Sequence, residues 1–365
     1  MAFDAVGLSG PRSGLAVYSD QLARALASLP SAPELVLFQR SGPPSIALPG
    51  HNHRITSLGG WRERLARRGI VPIEATLPEV DLVHFPDVQT ARTRRPCVVT
   101  VHDLAPFRLP ELFPDLYPDV QNPSMAVYRR AIAGAVARCD LFICVSDVTR
   151  SELLDRFGLP EERVVTVRSG VRAPGRPLQR RPARERFRLL MVGRVEFRKN
   201  LPVAAEAVRI LRSRGIPVEL DVAGDVTNSE ARAVQSRLEP EAAAGWLRWH
   251  GAVNDQALWR LLEETSVLLY PSLYEGFGFP ALEAVRSGVP TIASDIAVHR
   301  ETLGGIIPLV APTRPEAWAD AIDRMLRGAL RIADDALAQL ERRGISWTAC
   351  AEGTVAAYRR AILAG

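Results

Sequence analysis

The sequence is almost free of lysine, has few cysteines and lacks long apolar runs. Lys199 is the only lysine among 46 basic residues, so arginine supplies all the others. Cys97, Cys139, Cys144 and Cys350 have no metal-ligand spacing, and we expect buried, reduced thiols in a cytoplasmic protein. No apolar run approaches the ~18 residues of a membrane-spanning helix, and the N-terminus lacks a basic-then-apolar secretory signal. These absences favour a globular protein and argue against a disulfide-stabilised or integral membrane one.

The net charge of +5 is concentrated in one segment. Residues 171–190 contain seven arginines and a single glutamate, a net charge of +6 that leaves the rest of the chain close to neutral. The same segment contains Pro174, Pro177 and Pro182, as an interdomain linker often does. A nucleic-acid footprint is more often a basic face interleaved with aromatic residues, so we expect no nucleic-acid partner.

Short apolar runs alternate with helical patterns throughout, which is typical of parallel sheets flanked by helices. Strands are predicted at 2–6, 35–38, 80–85, 98–101, 141–145 and 164–167, and then at 189–192, 218–223, 247–250, 267–270, 291–293 and 306–310. Helices are predicted at 14–29, 123–138, 147–157, 201–214, 255–264, 280–287, 315–327 and 347–362. No internal repeat interrupts this alternation.

A chain of 365 residues suits two domains of ordinary size. The sequence therefore predicts an α/β protein with two doubly wound, Rossmann-like domains facing a central cleft. The predicted parts are an N-terminal domain at 1–170, an Arg/Pro-rich linker at 171–187, a C-terminal domain at 188–345 and a final helix at 346–365. Ligands of such sheets bind beyond the carboxyl ends of the strands.

The strongest functional signal is segment 274–283, Tyr-Glu-Gly-Phe-Gly-Phe-Pro-Ala-Leu-Glu, between a predicted strand and a predicted helix. Its Gly276–Gly278 turn would present backbone N–H groups at a helix N-terminus, which favours anions and hydroxyl oxygens. Glu275 and Glu283 can point into one cleft, and a carboxylate suits two vicinal hydroxyls of a sugar or ribose. The alternative is a tight turn with solvent-facing acids, and the full pattern favours the ligand site.

The second signal is segment 193–200, Gly-Arg-Val-Glu-Phe-Arg-Lys-Asn, directly after the predicted strand 189–192. Arg194 offers a guanidinium fork and Lys199 a point charge, a natural clamp for phosphate oxygens. The only lysine of an arginine-rich chain lies in this motif. Either residue alone could be a solvated surface charge, but together they indicate a diphosphate site.

The two segments together resemble the retaining glycosyltransferases of family 4, which have the GT-B fold. The resemblance extends over almost the whole chain, and it implies that the final helix crosses back to the N-terminal domain. It is supported by Pro-Arg-Ser-Gly-Leu-Ala-Val-Tyr at 11–18, Val-His-Asp-Leu-Ala-Pro at 101–106, Ser-Gly-Val at 169–171, His-Gly-Ala-Val at 250–253, Gly-Val-Pro at 288–290 and Ala-Ser-Asp at 293–295. The family usually has paired glycines where this chain has Ser13 and Gly14, and a related subgroup has glycine at the Ala16 position, so only Gly14 is carried over from that loop.

The resemblance implies roles for individual residues. Arg194 and Lys199 would bind the donor diphosphate, Glu283 the ribose diol, and Glu275 with the nearby amides the transferred sugar. The implied donor-binding residues are Gly14, Gly193, Arg194, Lys199, Val253, Glu275, Gly276, Phe277, Gly278 and Glu283, and the implied catalytic residues are Arg194, Lys199, Glu275 and His102. His102 would lie close to the sugar, where a positioning contact is preferred to a general-base role.

The expected reaction breaks the bond between an anomeric carbon and phosphate, and cations stabilise the departing charge. The sequence contains no Asp-x-Asp motif, so we expect transfer without a metal or other cofactor. Retention of configuration is implied by the family alone. A same-face mechanism, in which the leaving phosphate helps to deprotonate the acceptor, is preferred to a double displacement because no carboxylate is assigned as a nucleophile.

Three alternative functions stay open. An epimerase or a phosphorylase would use the same scaffold, and a non-catalytic sugar-nucleotide binding protein would use the same residues. A dehydrogenase would need Gly-x-Gly-x-x-Gly after a first strand, which neither half has. For a transferase, the first choice of donor is GDP-mannose and the second a UDP- or dTDP-sugar. The acceptor would be a glycan or lipid-linked glycan in cell-surface polysaccharide or glycolipid synthesis.

A basic segment at 61–70, Trp-Arg-Glu-Arg-Leu-Ala-Arg-Arg-Gly-Ile, carries a net charge of +3. On a helix Trp61 and Leu65 share a face, while Arg64, Arg67 and Arg68 cluster elsewhere. The sequence therefore suggests peripheral contact with the inner face of the plasma membrane. The alternative is a surface helix with solvated arginines.

Overall fold

The computed structural model describes residues 1–5, 14–39, 48, 53–57, 65, 70–77, 79–115, 123–181 and 186–364. The chain divides into two compact units, Met1–Gly170 with Gly344–Gly365, and Val171–Arg343. Each unit is a parallel sheet flanked by helices, as the alternating pattern predicted.

The first unit contains a seven-stranded sheet in the order β3-β2-β1-β4-β5-β6-β7. Its strands are β1 (Ala2–Asp4), β2 (Leu35–Gln39), β3 (His53–Ser57), β4 (Val83–Phe85), β5 (Cys97–Val101), β6 (Leu141–Cys144) and β7 (Val164–Thr166). Its helices are α1 (Gly14–Ala27), α2 (Ala105–Leu112), α3 (Pro123–Arg138) and α4 (Asp147–Phe157). All four cysteines belong to this unit, where they are buried and form no disulfide.

The second unit contains a six-stranded sheet in the order β10-β9-β8-β11-β12-β13. Its strands are β8 (Phe187–Val192), β9 (Val218–Ala223), β10 (Leu247–Gly251), β11 (Val267–Tyr270), β12 (Thr291–Ser294) and β13 (Leu309–Val310). Its helices are α5 (Leu201–Ser213), α6 (Ser229–Arg237), α7 (Glu239–Ala243), α8 (Asp255–Glu264), α9 (Phe279–Arg286), α10 (Ala297–Leu303), α11 (Pro315–Leu326) and α12 (Ala336–Arg342). The final helix, α13 (Trp347–Ala364), follows in the sequence but packs in the first unit.

A buried polar network attaches α13 to the first sheet. His84, on β4, lies between the Tyr358 hydroxyl at 2.8 Å from Nδ1 and the Thr100 hydroxyl at 2.9 Å from Nε2. Burial, reinforced by nearby His102, lowers the pKa of His84 to about 3. The imidazole is therefore neutral in the folded protein, and both of its nitrogens are satisfied by neutral hydroxyls.

We expect this buried histidine to make stability depend on pH. Below about pH 6.5 the unfolded chain takes up a proton on His84 that the folded protein cannot, until the pH approaches 3. In that window His84 should reduce the free energy of unfolding by about 1.4 kcal/mol per pH unit as the pH falls. Urea unfolding of the wild type and His84→Gln at pH 6.5 and 4.5 measures this. An equal change with pH in both proteins would contradict the prediction.

Three differences between the predicted and the observed elements have physical explanations. The strand β3 lies at an edge of the first sheet and reads His-Arg-Ile-Thr-Ser, without the apolar run expected of a central strand. The helix α2 contains Pro106 and Pro110, which sequence patterns read as helix breakers. The predicted strand at 306–310 is confined to the two residues of β13, at the edge of the second sheet.

The segment predicted as a linker is bound to the second unit wherever it is described. Arg180 donates to the carbonyls of Leu262 and Thr265, and the Arg181 amide donates to the Glu263 carbonyl at 2.8 Å. Residues 182–185 lie outside the described part. The basic segment 61–70 also lies outside it, except for Leu65 and Ile70. Among the described residues, no helix combines the length and apolar character that a bilayer crossing requires.

Candidate functional site

The two sequence segments meet where the strand order of the second sheet reverses. The strands β8 and β11 are neighbours, but the chain continues from β8 towards β9 on one side and from β11 towards β12 on the other. Such a switch point leaves a crevice at the carboxyl ends of the strands, where α/β proteins bind ligands. A cleft at this point is lined by residues that include Gly193, Arg194, Lys199, Tyr270 and Ser272.

Hydrogen bonds to backbone carbonyls hold the loops after β8 and β11 together. Asn200 has a left-handed backbone with φ of 56°, which asparagine tolerates better than most residues. Its side-chain amide donates to the carbonyls of Pro271 at 3.1 Å and Pro312 at 2.7 Å. The Leu273 amide donates to the Arg198 carbonyl at 2.8 Å. These bonds fix Lys199, which precedes Asn200, beside the loop that carries Glu275.

A compact ion-pair cluster forms between these loops. Glu275 accepts hydrogen bonds from the Lys199 ammonium and from Arg198 Nη1, the latter at 3.0 Å. Lys199 also lies 3.2 Å from the Tyr270 hydroxyl, and its nitrogen is 5.0 Å from the centre of that ring. Arg198 in turn is paired with Glu196 at 2.6 Å. The cluster therefore places two adjacent cations against one buried carboxylate.

The charges of the cluster shift one another's protonation. Burial alone would raise the pKa of Glu275, but Lys199 and Arg198 outweigh it and hold the pKa well below its ordinary value. Burial, followed by the proximity of Arg198, lowers the pKa of Lys199, although Glu275 opposes this. The side chain of Lys199 is 12% exposed and that of Glu275 is 9% exposed, so the pair is shielded from solvent. Charges in such a shielded place act strongly on a ligand.

Arg194 is not part of this cluster. Its side chain is 56% exposed, and the nearest oxygens of Glu196 and Asp225 are both 3.7 Å from the guanidinium. Gly193, directly before it, has φ of 135°, and a Cβ there would meet the Lys199 side chain at 3.4 Å. The sequence suggested that Arg194 and Lys199 act as a pair, whereas the cation that shares Glu275 with Lys199 is Arg198.

The glycine turn after β11 leads into the helix α9. Gly278 has φ of 97°, and a Cβ there would lie 3.4 Å from the buried ring of His299. Within the described part of the chain, the backbone N–H groups of residues 276–278 donate no hydrogen bond. They lie at the N-terminus of α9, so the turn can bind an anion or a hydroxyl oxygen.

The remaining acid of the motif, Glu283, lies on α9 and does not join the cluster around Glu275. It is 5% exposed and is paired with Arg172, at 2.6 Å from Nε and 3.2 Å from Nη2. Val253 is half-buried after β10, at the same carboxyl edge of the sheet. The two glutamates of segment 274–283 therefore have different arginine partners. Glu275 is paired with Arg198 and Glu283 with Arg172.

Two of the residues singled out by the sequence lie in the first unit. Gly14 is the exposed first residue of α1, and residues 6–13 before it are outside the described part. His102 follows β5, with Nε2 at 2.8 Å from the Pro86 carbonyl and its ring 4.6 Å from that of Tyr18. Because a carbonyl only accepts, Nε2 carries a proton and donates it to this hydrogen bond.

Three side chains that contact the assigned residues had no role assigned from the sequence. Arg198 lay inside the quoted motif but had no assigned role. Tyr270 ends β11 and was read as a strand residue. Arg172 was counted among the linker arginines. Arg198 could have been identified as a site residue because it is next to Lys199 in the sequence. No local sequence pattern could connect Arg172 with Glu283.

Two family models match the chain in succession. The first is described as Glycosyltransferase Family 4 and matches residues 12–173, and the second is described as Glycosyl transferases group 1 and matches residues 186–328. Together they span most of the first unit before α13 and most of the second unit.

Similar proteins include two bacterial enzymes and one solved structure. The O-antigen chain mannosyltransferase B of Escherichia coli is 27% identical over 293 residues, 76% of this chain and 74% of the relative. The MMP alpha-(1->4)-mannosyltransferase of Mycolicibacterium hassiacum is 29% identical over 232 residues, 60% of this chain and 54% of the relative. The structure of sucrose-phosphate synthase from Thermosynechococcus elongatus matches with a TM-score of 0.72 and 18% identity, covering 100% of this chain and 99% of that one.

The matches confirm the family resemblance and the fold class that the sequence suggested. Consecutive models of one enzyme class account for both halves of the chain, and the similarity to the synthase structure extends over its full length. The chain belongs to the family 4 glycosyltransferases and has the GT-B fold.

Proposed function

We propose that this glycosyltransferase moves a hexose, with mannose as the first choice, from a nucleotide-diphosphate sugar to a hydroxyl of a glycan or lipid-linked glycan. The observation that carries the proposal is the pair of cations, Lys199 and Arg198, at the β8–β11 switch point. Both curated relatives named above are mannosyltransferases by name, which supports GDP-mannose as the first donor, before a UDP- or dTDP-sugar. Cell-surface polysaccharide or glycolipid synthesis is the proposed setting.

We propose that the two carboxylates bind different parts of the donor. Lys199 and Arg194 bind the diphosphate, with Gly193 allowing its close approach. Glu275 and the amides of 276–278 bind the transferred sugar, since a turn with unbonded N–H groups at a helix N-terminus suits its hydroxyl oxygens. Glu283 binds the ribose diol, and Val253 and Gly14 complete the donor site. When the anomeric C–O bond breaks, the departing phosphate gains negative charge beside preorganised cations, which lowers the barrier.

We propose retention of configuration by a same-face reaction. The acceptor oxygen bonds to the anomeric carbon on the face that the phosphate leaves, and a phosphate oxygen takes the acceptor proton. Glu275 is a poor nucleophile for a double displacement because two cations stabilise its carboxylate. His102 contributes a positioning contact to the sugar, since the hydrogen bond from its Nε2 to the Pro86 carbonyl fixes the ring.

Transfer should be independent of a metal ion. The basic residues of the site supply the charge that a metal would otherwise provide to the leaving diphosphate, and the sequence has no Asp-x-Asp motif. We expect initial rates in excess EDTA to equal those in buffer without it. Loss of transfer on chelation, with recovery on addition of manganese or magnesium, would contradict this.

A panel of GDP-mannose, UDP-glucose and dTDP-glucose tests the donor assignment. A donor at 100 times its dissociation constant should stabilise the folded protein by about 2.7 kcal/mol, which a thermal shift detects. The stabilising donor is then incubated with and without glycan acceptors. Acceptor-dependent release of the nucleoside diphosphate supports the proposal. An epimerase would isomerise the sugar nucleotide without an acceptor. A phosphorylase would form a sugar phosphate only when phosphate is added. A binding protein would bind the sugar nucleotide without turnover.

A lipid-linked acceptor would bring a cytoplasmic enzyme to the inner face of the plasma membrane. The net charge of +3 in segment 61–70 supports peripheral contact with anionic headgroups there. This membrane contact is part of the proposal.

A further inference from the structure

The carboxylate of Glu283 is held by an arginine from a distant part of the chain. Arg172 Nε lies 2.6 Å from Oε1 and Arg172 Nη2 lies 3.2 Å from Oε2, so the guanidinium engages both oxygens in a fork. The side chain of Glu283 is 6% exposed and that of Arg172 is 15% exposed. A fork between a guanidinium and a carboxylate constrains direction as well as distance, which a lysine cannot do.

Two residues of α8 hold the Arg172 guanidinium in place. Its third nitrogen, Nη1, donates to Asp255 at 2.8 Å, and the group lies over the ring of Trp259, with 5.8 Å from its carbon to the ring centre. All three nitrogens of the Arg172 head therefore have acceptors. The orientation of Glu283 is thus determined by α8 as well as by its own helix.

This geometry leaves the carboxylate able to bind a diol. An ionised carboxylate offers about four lone-pair sites, two on each oxygen. The fork occupies one site on each oxygen and leaves one on each for an incoming hydroxyl. Two adjacent hydroxyls of a ribose match that remaining pair.

We infer that Arg172 is the positioning residue for nucleotide binding, holding the Glu283 carboxylate aimed at the ribose diol. The inference rests on the proposed function, in which Glu283 binds that diol. Without the fork, the buried carboxylate could rotate, and it would discriminate poorly between a diol and a single hydroxyl. Arg172 touches no reacting atom in this account, so its effect should fall on donor affinity and on recognition of the 2′-hydroxyl.

The test compares binding of a nucleoside diphosphate and its 2′-deoxy form by titration calorimetry. The pair is GDP and 2′-deoxy-GDP, or the corresponding pair for the donor that the panel selects. The 2′-deoxy form lacks one hydrogen bond to a charged group. Its Kd for the wild-type protein should therefore be at least tenfold higher than that of the ribose form. In Arg172→Gln the Kd for the ribose form should rise about tenfold, and the ratio between the two ligands should fall below about threefold. In enzyme assays KM for the donor should rise more than kcat falls.

Two further variants keep the result interpretable. Arg172→Lys retains a positive charge but cannot form the fork, so it should fold and still lose most of the 2′-hydroxyl discrimination. Arg180→Gln is the matched control, an arginine of the same segment that bonds the end of α8 and not Glu283, and it should keep the wild-type ratio. A wild-type ratio in both Arg172 variants would overturn the inference alone. A ratio near one in the wild-type protein would overturn the ribose assignment of Glu283 and the inference with it.

Discussion

Replacing Lys199 with alanine should lower turnover roughly 100- to 1,000-fold. The Lys199 ammonium is a largely shielded point charge that follows β8, fixed by Asn200 behind it and by Glu275 beside it. Removing it leaves the departing diphosphate without its preorganised cation, and water cannot restore that charge in a shielded site. Initial rates of nucleoside diphosphate release at saturating donor measure the loss. Near-normal turnover would contradict the phosphate assignment.

Stability has to be followed in the same experiment. Alanine at position 199 leaves the buried Glu275 paired with Arg198, and breaking part of a buried ion pair destabilises a protein. We therefore expect a lower Tm for Lys199→Ala, and the rates should be compared well below it. Arg214→Ala is the control, because Arg214 pairs with Asp320 on the surface of the same unit and should keep wild-type turnover.

Replacing Glu275 with glutamine should lower kcat/KM about 100-fold. The change removes the anion that holds Lys199 and Arg198 together, and it weakens the acceptor available to the sugar hydroxyls. Because both cations hold the pKa of Glu275 well below its ordinary value, the wild-type carboxylate is charged throughout the neutral range. The ratio of wild-type to variant kcat/KM should thus be constant between pH 6 and 8. A ratio that rises with pH in this range would contradict a permanently ionised Glu275.

Stability provides a second measure of Glu275. A lowered pKa in the folded state means that the stabilisation by ionised Glu275 is complete above the unfolded pKa, at about 4.3, and is lost as the pH falls below it. The Tm difference between wild type and Glu275→Gln should be largest at neutral pH and shrink in acid. Lys199 and Glu275 are in direct contact, so their effects should not be additive. The double variant Lys199→Ala/Glu275→Gln should therefore lose less activity than the sum of the two single losses in free energy. Strict additivity would argue against a functional pair.

The sequence predicted the fold because the strong signals were local. Most central strands are largely apolar and can be found in a single stretch of sequence, and β9, β11 and α8 begin and end where the pattern placed them. The edge strand β3 and the proline-containing α2 were missed for the opposite reason, since their local patterns disagree with the structure they adopt. In both, packing within the unit overrides local preference.

The candidate site was only partly predictable. Segments 193–200 and 274–283 could be found in the sequence because each combines glycine with charged residues at a strand end. Their pairing could not, because Lys199 reaches Glu275 across 76 positions and Arg172 reaches Glu283 across 111. The sequence therefore supplied candidate side chains, while the division into a Lys199–Arg198–Glu275 cluster and an Arg172–Glu283 fork comes from the topology of the sheet.

The central claim is that Lys199 binds the donor diphosphate at the β8–β11 switch point, and one titration tests it most directly. The nucleoside diphosphate of the selected donor, GDP in the first instance, is titrated into wild-type and Lys199→Ala protein at low salt, without metal ions. The account predicts binding to the wild type and a Kd at least tenfold higher in the variant, as expected for loss of a charged hydrogen bond to phosphate. Equal affinity of the two proteins for the diphosphate would contradict it.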